Sequence, residues 1–211
     1  MSITVGTAKA GTAKAGTARA GTARAETAKV GTVRVGTVLL CACLAACALE
    51  KPPPSTAELP PGFYGAWVDN DIGAINEAAY ALGSPARTRG DPIEALRAAI
   101  AVEYLGGELT TAPRWYRLSP ITQMNMLQAR TEMRNVLGIR QDAPSQAVVN
   151  ALIWVMWDLV HGNQAAATQV LASPLFLQPP QKTWAVLNNL PYLPAAHVAT
   201  AEAAMEEFRD G

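Results

Sequence analysis

The chain has 211 residues, of which half are apolar, with seventeen basic and seventeen acidic side chains. That neutral total hides a division: residues 1–46 carry six basic residues and one acid, net +5, while residues 47–211 carry eleven basic and sixteen acidic ones, net −5. A mildly acidic main body argues against a nucleic-acid partner, whose phosphates need a basic face, and the roughly 150 residues beyond the Pro-rich spacer suffice for one domain with a real core.

From Gly6 the sequence repeats every five residues, as Gly-Thr-Ala-Lys-Ala and Gly-Thr-Ala-Arg-Ala, decaying to Gly36-Thr-Val-Leu-Leu. A period of five matches neither the 3.6 of a helix nor the 2 of a strand, so no face collects the basic residues. Gly and Thr in every unit lower helix propensity further. Residues 1–34 are therefore expected to take no stable fold. They read as a translated tandem repeat upstream of the true start, with Val30 or Val33 as the non-Met start; no Met occurs between Met1 and Met124. A basic tail for nucleic acid or acidic lipid is the competing account of the same residues.

Next comes an uncharged run, residues 35–49, behind Arg34 and ahead of a Pro-rich stretch, 51–61. Fifteen residues, with Gly36 and Thr37 among them, fall short of the roughly 20 that a membrane span needs. A short apolar run behind a positive charge and ending in small residues has the shape of a secretory h-region with its cleavage site. The four residues that end its stretch 35–47, Leu44-Ala45-Ala46-Cys47, resemble the lipobox of bacterial lipoproteins. The resemblance implies a diacylglycerol on the Cys47 thiol and cleavage between Ala46 and Cys47, which leaves residues 35–46 as the removed signal. It also implies sorting: Ala48, where Asp would retain a lipoprotein in the inner membrane, favours the outer membrane facing the periplasm. Residues 47–61 then form a tether, reaching at most roughly 45 Å at polyproline rise. All three cysteines (Cys41, Cys43, Cys47) precede the main body, which must hold together by packing without a disulfide.

Residues 62–211 read as an all-α domain, a small bundle of six to seven helices. Asp91-Pro92-Ile93-Glu94 places an N-cap, a Pro at the first helical position and an acid at the third; Ile93, Leu96, Ile100 and Tyr104 then follow at helical spacing, and Gly106-Gly107 is the expected stop. Ser119-Pro120 opens a second helix with Ile121, Met124, Leu127, Met133 and Leu137 inward and Gly138 as its end. Pro144 opens a third, closed by His161-Gly162. Its stretch 148–160 is the most apolar of the main body and is expected to be the central helix, with Trp154 and Trp157 packed against its neighbours. Shorter helices are expected at 71–82, 164–172 and 181–190, and a last amphipathic one carries Val198, Ala201, Met205 and Phe208 on one side. No stretch alternates with the period of a strand.

The chemistry-bearing patterns are sparse. Asp69-Asn70-Asp71 resembles the opening of a calcium loop, but Ala74 and Tyr80 stand where such a loop needs Gly and Glu, so capping by Asn70 or Asp71 is the expectation. Arg89-Gly90-Asp91 spells an adhesion tripeptide whose Gly and Asp a turn and a cap already explain. His161 and His197, the two histidines, lie far apart, and with no Cys in the domain no zinc ligand set exists. Gly-x-Ser-x-Gly is absent, and no Glu is followed by the Ser of a lysozyme-like transglycosylase pair. Neither metal nor cofactor is expected.

One constellation remains: Arg114-Trp115-Tyr116-Arg117, with Arg130 and Arg134 one turn apart on the following helix. Guanidinium forks beside aromatic faces suit carboxylate, phosphate or sugar recognition, which makes Arg114, Trp115, Arg117, Arg130 and Arg134 the candidate ligand-binding residues. The structural alternative has Trp115 plugging the core and Arg130 or Arg134 paired with Glu103 or Glu108. Three functions follow. The first is a lipid-anchored, non-enzymatic adaptor or scaffold for another envelope component. The second is a module that binds or modifies peptidoglycan through the Arg/aromatic site, with Glu103 or Glu108 as its acid. The third is a cytoplasmic protein with a basic nucleic-acid-binding tail.

Overall fold

The computed structural model describes residues 56–210; the repeat, the signal segment, Cys47 and the first part of the spacer lie outside the described residues. Seven helices follow one another: α1 (Asn70–Leu82), α2 (Pro92–Thr111), α3 (Pro120–Leu137), α4 (Ser145–Val160), α5 (Gln164–Leu171), α6 (Pro180–Asn188) and α7 (Pro194–Asp210), with a 3-10 turn, Pro113–Trp115, between α2 and α3. Among the described residues there is no strand, only one isolated bridge between Ile139 and Phe176. The fold is all-α.

Most boundaries follow from capping chemistry. Asp91 accepts from the backbone N–H groups of Ile93 and Glu94, and Ser119 from that of Ile121, each ahead of a proline that opens the helix. At α1 the cap is Asp69, one residue ahead of the expected pair. Its carboxylate accepts from Asp71 and Ile72, while Asn70 already lies within the helix and sends its amide back to the Pro60 carbonyl at 3.1 Å. α3 ends at Gly138, whose φ of 69° is left-handed, and Ile139 N–H closes back on the Arg134 carbonyl at 2.7 Å.

α2, and not α4, is the centre. It packs against α1, α3, α4 and α6 and is buried without a break from Leu105 back to Ala98. It also runs straight through Gly106-Gly107 to Thr111. A glycine lowers helix propensity by about 1 kcal/mol but does not oblige a stop. Here Gly106 is demanded by packing, since a Cβ would come within 2.9 Å of the Arg130 Cδ. The inner faces of α1, α2 and α7 are rich in alanine (Ala74, Ala78, Ala98, Ala99, Ala199, Ala203 among the buried residues), which lets these backbones approach closely.

In three helices part of the expected inner face lies outside. In α4 only Val148, Val149, Ala151, Leu152 and Val155 are fully inside among its large apolar residues, whereas Trp154, Trp157 and Val160 are 59%, 56% and 61% exposed. In α3 the buried stripe is Thr122, Met126, Ala129, Met133 and Leu137, leaving Ile121, Met124 and Leu127 outside. In α7 the side bearing Val198, Met205 and Phe208 is the solvent side, and Ala196, Ala199, Thr200 and Ala203 face the core.

The domain also begins earlier than expected. Residues 56–60, read above as tether, belong to it: Ala57 and Leu59 are buried, and the Gln146 amide clasps the Glu58 backbone, accepting from its N–H at 2.6 Å and donating to its carbonyl at 3.1 Å.

A single substitution tests the most constrained corner. At Gly138 a Cβ would be strained by the left-handed backbone and would meet the Gln178 side chain at 2.3 Å. Gly138→Ala is expected to lower the unfolding free energy by about 1–3 kcal/mol, read as a lower urea midpoint at unchanged slope.

Candidate functional site

The 3-10 turn brings Arg114 and Trp115 down onto α1. Arg114 Nη1 donates to Asp69 Oδ2 at 2.7 Å and to Asp71 Oδ2 at 3.2 Å, and its guanidinium lies 5.1 Å over the Trp115 ring. Trp115 Nε1 donates to Asp71 Oδ2 at 2.9 Å, and the Tyr104 hydroxyl, from α2, donates to Asp71 Oδ1. Asp71 is buried, so its carboxylate works as a rivet joining α1, α2 and the turn. Burial and the Asp71 carboxylate together push the Tyr104 hydroxyl far above its usual range, which keeps it a donor.

Around this rivet two acids titrate abnormally. Partial burial opposes ionisation of Asp69, but the Arg114 hydrogen bond and the Ile72 and Asp71 N–H groups outweigh it and hold the carboxyl below its ordinary value. Glu108 moves the other way, raised by burial first and then by the negative charge of Asp71, with Arg114 only partly compensating.

Arg117 is exposed and lines, with Ile72, Arg114, Trp115, Leu118, Glu206 and Glu207, a depression of about 280 Å³. Even here one acid is already engaged. Glu206, on α7, accepts from Ser119 N–H at 2.9 Å and from the Thr122 hydroxyl at 2.5 Å, so it satisfies the open N-terminus of α3. Glu132 on α3 does the same for α7, accepting from Ala196 N–H at 2.9 Å. The two antiparallel helices thus cap each other with acids placed where the positive ends of their dipoles favour them.

The structure does not bring Arg130 and Arg134 to that depression. Arg134 is 4% exposed and forms a two-pronged pair with Glu103, from Nε to Oε2 at 2.9 Å and from Nη2 to Oε1 at 2.5 Å. Its remaining donors reach the carbonyls of Arg140, Gln141 and Ala143 at 3.2, 2.9 and 3.0 Å and the Ser145 hydroxyl at 3.3 Å. Arg130 lays its stem across Gly106 and directs Nη1 to the same hydroxyl at 3.3 Å. Burial holds its guanidinium pKa below the ordinary value, with the Glu103 charge opposing that shift and the Arg134 charge adding to it.

Of the five candidate residues, Arg114, Trp115 and Arg117 therefore share one shallow site, while Arg130 and Arg134 serve an interior knot. Glu103, 2% exposed and bonded through both oxygens, has no route to a substrate; Glu108 is the acid left beside the turn. Among the described residues no group of three or more His, Cys, Asp or Glu could hold a metal ion. His161 folds back on its own helix, Nδ1 to the Trp157 carbonyl at 2.7 Å, and His197 directs Nδ1 to the Leu82 carbonyl at 3.3 Å. Sequence reasoning missed the Asp71–Tyr104 and Glu206–Ser119 bonds, which join residues 33 and 87 positions apart and leave no local signature.

Two outcomes follow. Arg134→Ala leaves Glu103 buried without its partner and is expected to cost about 3–5 kcal/mol of stability, whereas Arg134→Met combined with Glu103→Leu costs clearly less, measured by a denaturant-unfolding cycle. For Glu108, the raised folded pKa means its favourable contribution is complete below the unfolded value of about 4.3 and is lost as pH rises through the folded one. Glu108→Gln should thus melt higher than the parent at neutral pH, with the gap closing as the pH falls below about 4. Comparison of the chain with protein-family models, with curated proteins and with solved structures returned no match, so what this site does has to be read from its own atoms.

Proposed function

We propose that this chain is a lipid-anchored protein of a bacterial envelope, held through Cys47 in the outer membrane on its periplasmic side, and that its helical domain is a non-enzymatic adaptor or scaffold. The anchor rests on the order Arg34, apolar run, Leu44-Ala45-Ala46-Cys47 and Pro-rich spacer. Among the described residues no helix is long and apolar enough to cross a membrane, and a covalent lipid at Cys47 is a means of retaining such a domain.

One observation carries the non-enzymatic half of the reading. Four of the carboxylates beside the candidate residues, Asp69, Asp71, Glu103 and Glu206, have both oxygens bonded inside the fold. General acid–base work needs a carboxyl within reach of a substrate proton, and these are committed elsewhere. What the domain offers outward instead is large apolar side chains on α3, α4 and α7, the surface chemistry of association. Peptidoglycan binding is the second reading, favoured by the exposed Arg117 beside half-exposed Arg114 in the one depression that the candidate residues share.

The intact mass of protein extracted from cells tests the anchor. It is expected to begin at Cys47 and to carry a diacylglyceryl group, while Cys47→Ala keeps its leader and leaves the membrane fraction; a full-length, unacylated cytosolic chain contradicts the proposal. Incubation of the same material with peptidoglycan fragments separates the two readings. Retention that disappears in an Arg114→Ala/Arg117→Ala variant would favour wall binding, and no retention by either protein favours the adaptor.

A further inference from the structure

Gln146, Asn150, Trp154 and Trp157 follow one another along α4 at spacings of four, four and three, which puts them on one helix face. Val160 and the half-buried Ile153 flank it. None of these six residues is charged; His161, whose ring centroid lies 4.2 Å from that of Trp157, continues the face at the helix end, half-buried Asp158 stands at its edge, and the two tryptophans and Val160 are each more than half exposed. An uncharged stripe with paired exposed indoles is unlike an ordinary solvated face, because an indole joins a large apolar body to one N–H donor. That combination suits the headgroup boundary of a bilayer, where one end of the ring meets acyl chains and the other meets water.

The chain's entry point decides what covers this stripe. The Gln146 clasp on Glu58 fixes the first residues of the domain at the N-terminal end of the same face. Thr56 is only nine positions beyond Cys47, and at polyproline rise these nine steps span at most about 28 Å. Trp157 lies eleven residues beyond Gln146, about 16 Å along the helix axis. A domain on so short a lead cannot stand far from the surface that holds its anchor, and the side from which the lead emerges is the side carrying the tryptophans.

We propose that the outward face of α4, centred on Trp154 and Trp157 and bordered by Val160, lies against the lipid bilayer into which the Cys47 anchor inserts. The proposal rests on the lipid-anchor reading above. The anchor confines the domain near the bilayer and the indoles orient it, so that α3 and α7 turn away from the membrane and remain open to the periplasm or to a partner. Binding needs no anionic lipid, because the face carries no Lys or Arg; zwitterionic phosphatidylcholine suffices.

The test uses the lipidated protein reconstituted at low density into phosphatidylcholine vesicles, with and without bromine on the acyl chains, which quenches nearby indoles. Two of the chain's five tryptophans lie on this face, so emission in brominated vesicles is expected to fall by about a third. In a Trp154→Phe/Trp157→Phe variant, whose changes are at exposed positions, the two vesicles are expected to give nearly equal emission. Equal emission from the parent protein, with its mass showing the lipid in place, overturns the docking and leaves the anchor standing. The same result joined to shielding of these indoles that grows with protein concentration means that a second copy covers the face, and also overturns it. A mass without lipid sinks the anchor and the docking together.

Discussion

The interaction on which the rest depends is the buried pair between Arg134 and Glu103. It takes two charges out of water, at a desolvation cost that a single ion pair does not reliably return. The fold offsets that cost by giving the guanidinium a complete set of acceptors: both Glu103 oxygens, three carbonyls of the α3–α4 loop and the first hydroxyl of α4. The gain is positional. Three carbonyls cannot be held at 2.9–3.2 Å from one side chain unless the loop has one conformation, and Ser145, bonded in the same knot, fixes where α4 starts. Gln146, the next residue, then sets where residues 56–60 enter the domain. Central helix, loop, outer helix and entry of the chain are thus tied to one cation.

Around this polar centre the packing is economical. α2 threads the middle between α1, α3, α4 and α6 with small residues such as Ala98 and Ala99 beside larger ones, Leu96, Ile100 and Leu105. Burying such a side chain contributes about 1.5–3 kcal/mol. The heaviest apolar side chains are spent elsewhere: Trp67, Trp154, Trp157 and Phe208 all face out. A domain that keeps its alanines inside and three of its five indoles outside has its core and its contact surface made largely of different residues. Substitutions on the surface should therefore be readable in binding without being confounded by unfolding.

What was legible in the sequence was local. Asp91-Pro92, Ser119-Pro120 and Gly138 each place a helix end by a rule that acts over a few residues, and the structure follows them. The identity of the central helix was not legible, because apolar content measures what a residue gains by burial and not whether it is buried. Residues 148–160 outweigh α2 in hydropathy through Trp, Val, Ile and Met, yet the alanines of α2 win the centre by fitting where four neighbours converge. The stripe Ile121, Met124, Leu127 failed for a similar reason: two helical stripes compete in α3, and the one through Met126 and Ala129 is the one buried. For the candidate site, the Arg114–Trp115 turn was visible as a motif. The pairing of Arg134 with Glu103 was among the alternatives that the residues offered, whereas the attachment of the turn to Asp71 depended on contacts between distant segments.

The central claim is that the arginines which looked like ligand-binding groups divide into two that serve an interior knot, Arg130 and the fully buried Arg134, and two at the surface, Arg114 and Arg117. Exchange of the guanidinium Nε–H protons, followed by NMR at neutral pH, tests it most directly, with the Arg134 resonance identified by its loss in Arg134→Lys. A buried, fully bonded group exchanges only when the structure opens. Arg134 Nε–H is predicted to persist long after the Nε–H signal of exposed Arg117 has vanished. Arg134 and Arg117 exchanging alike, at the rate of a free guanidinium, would contradict the account.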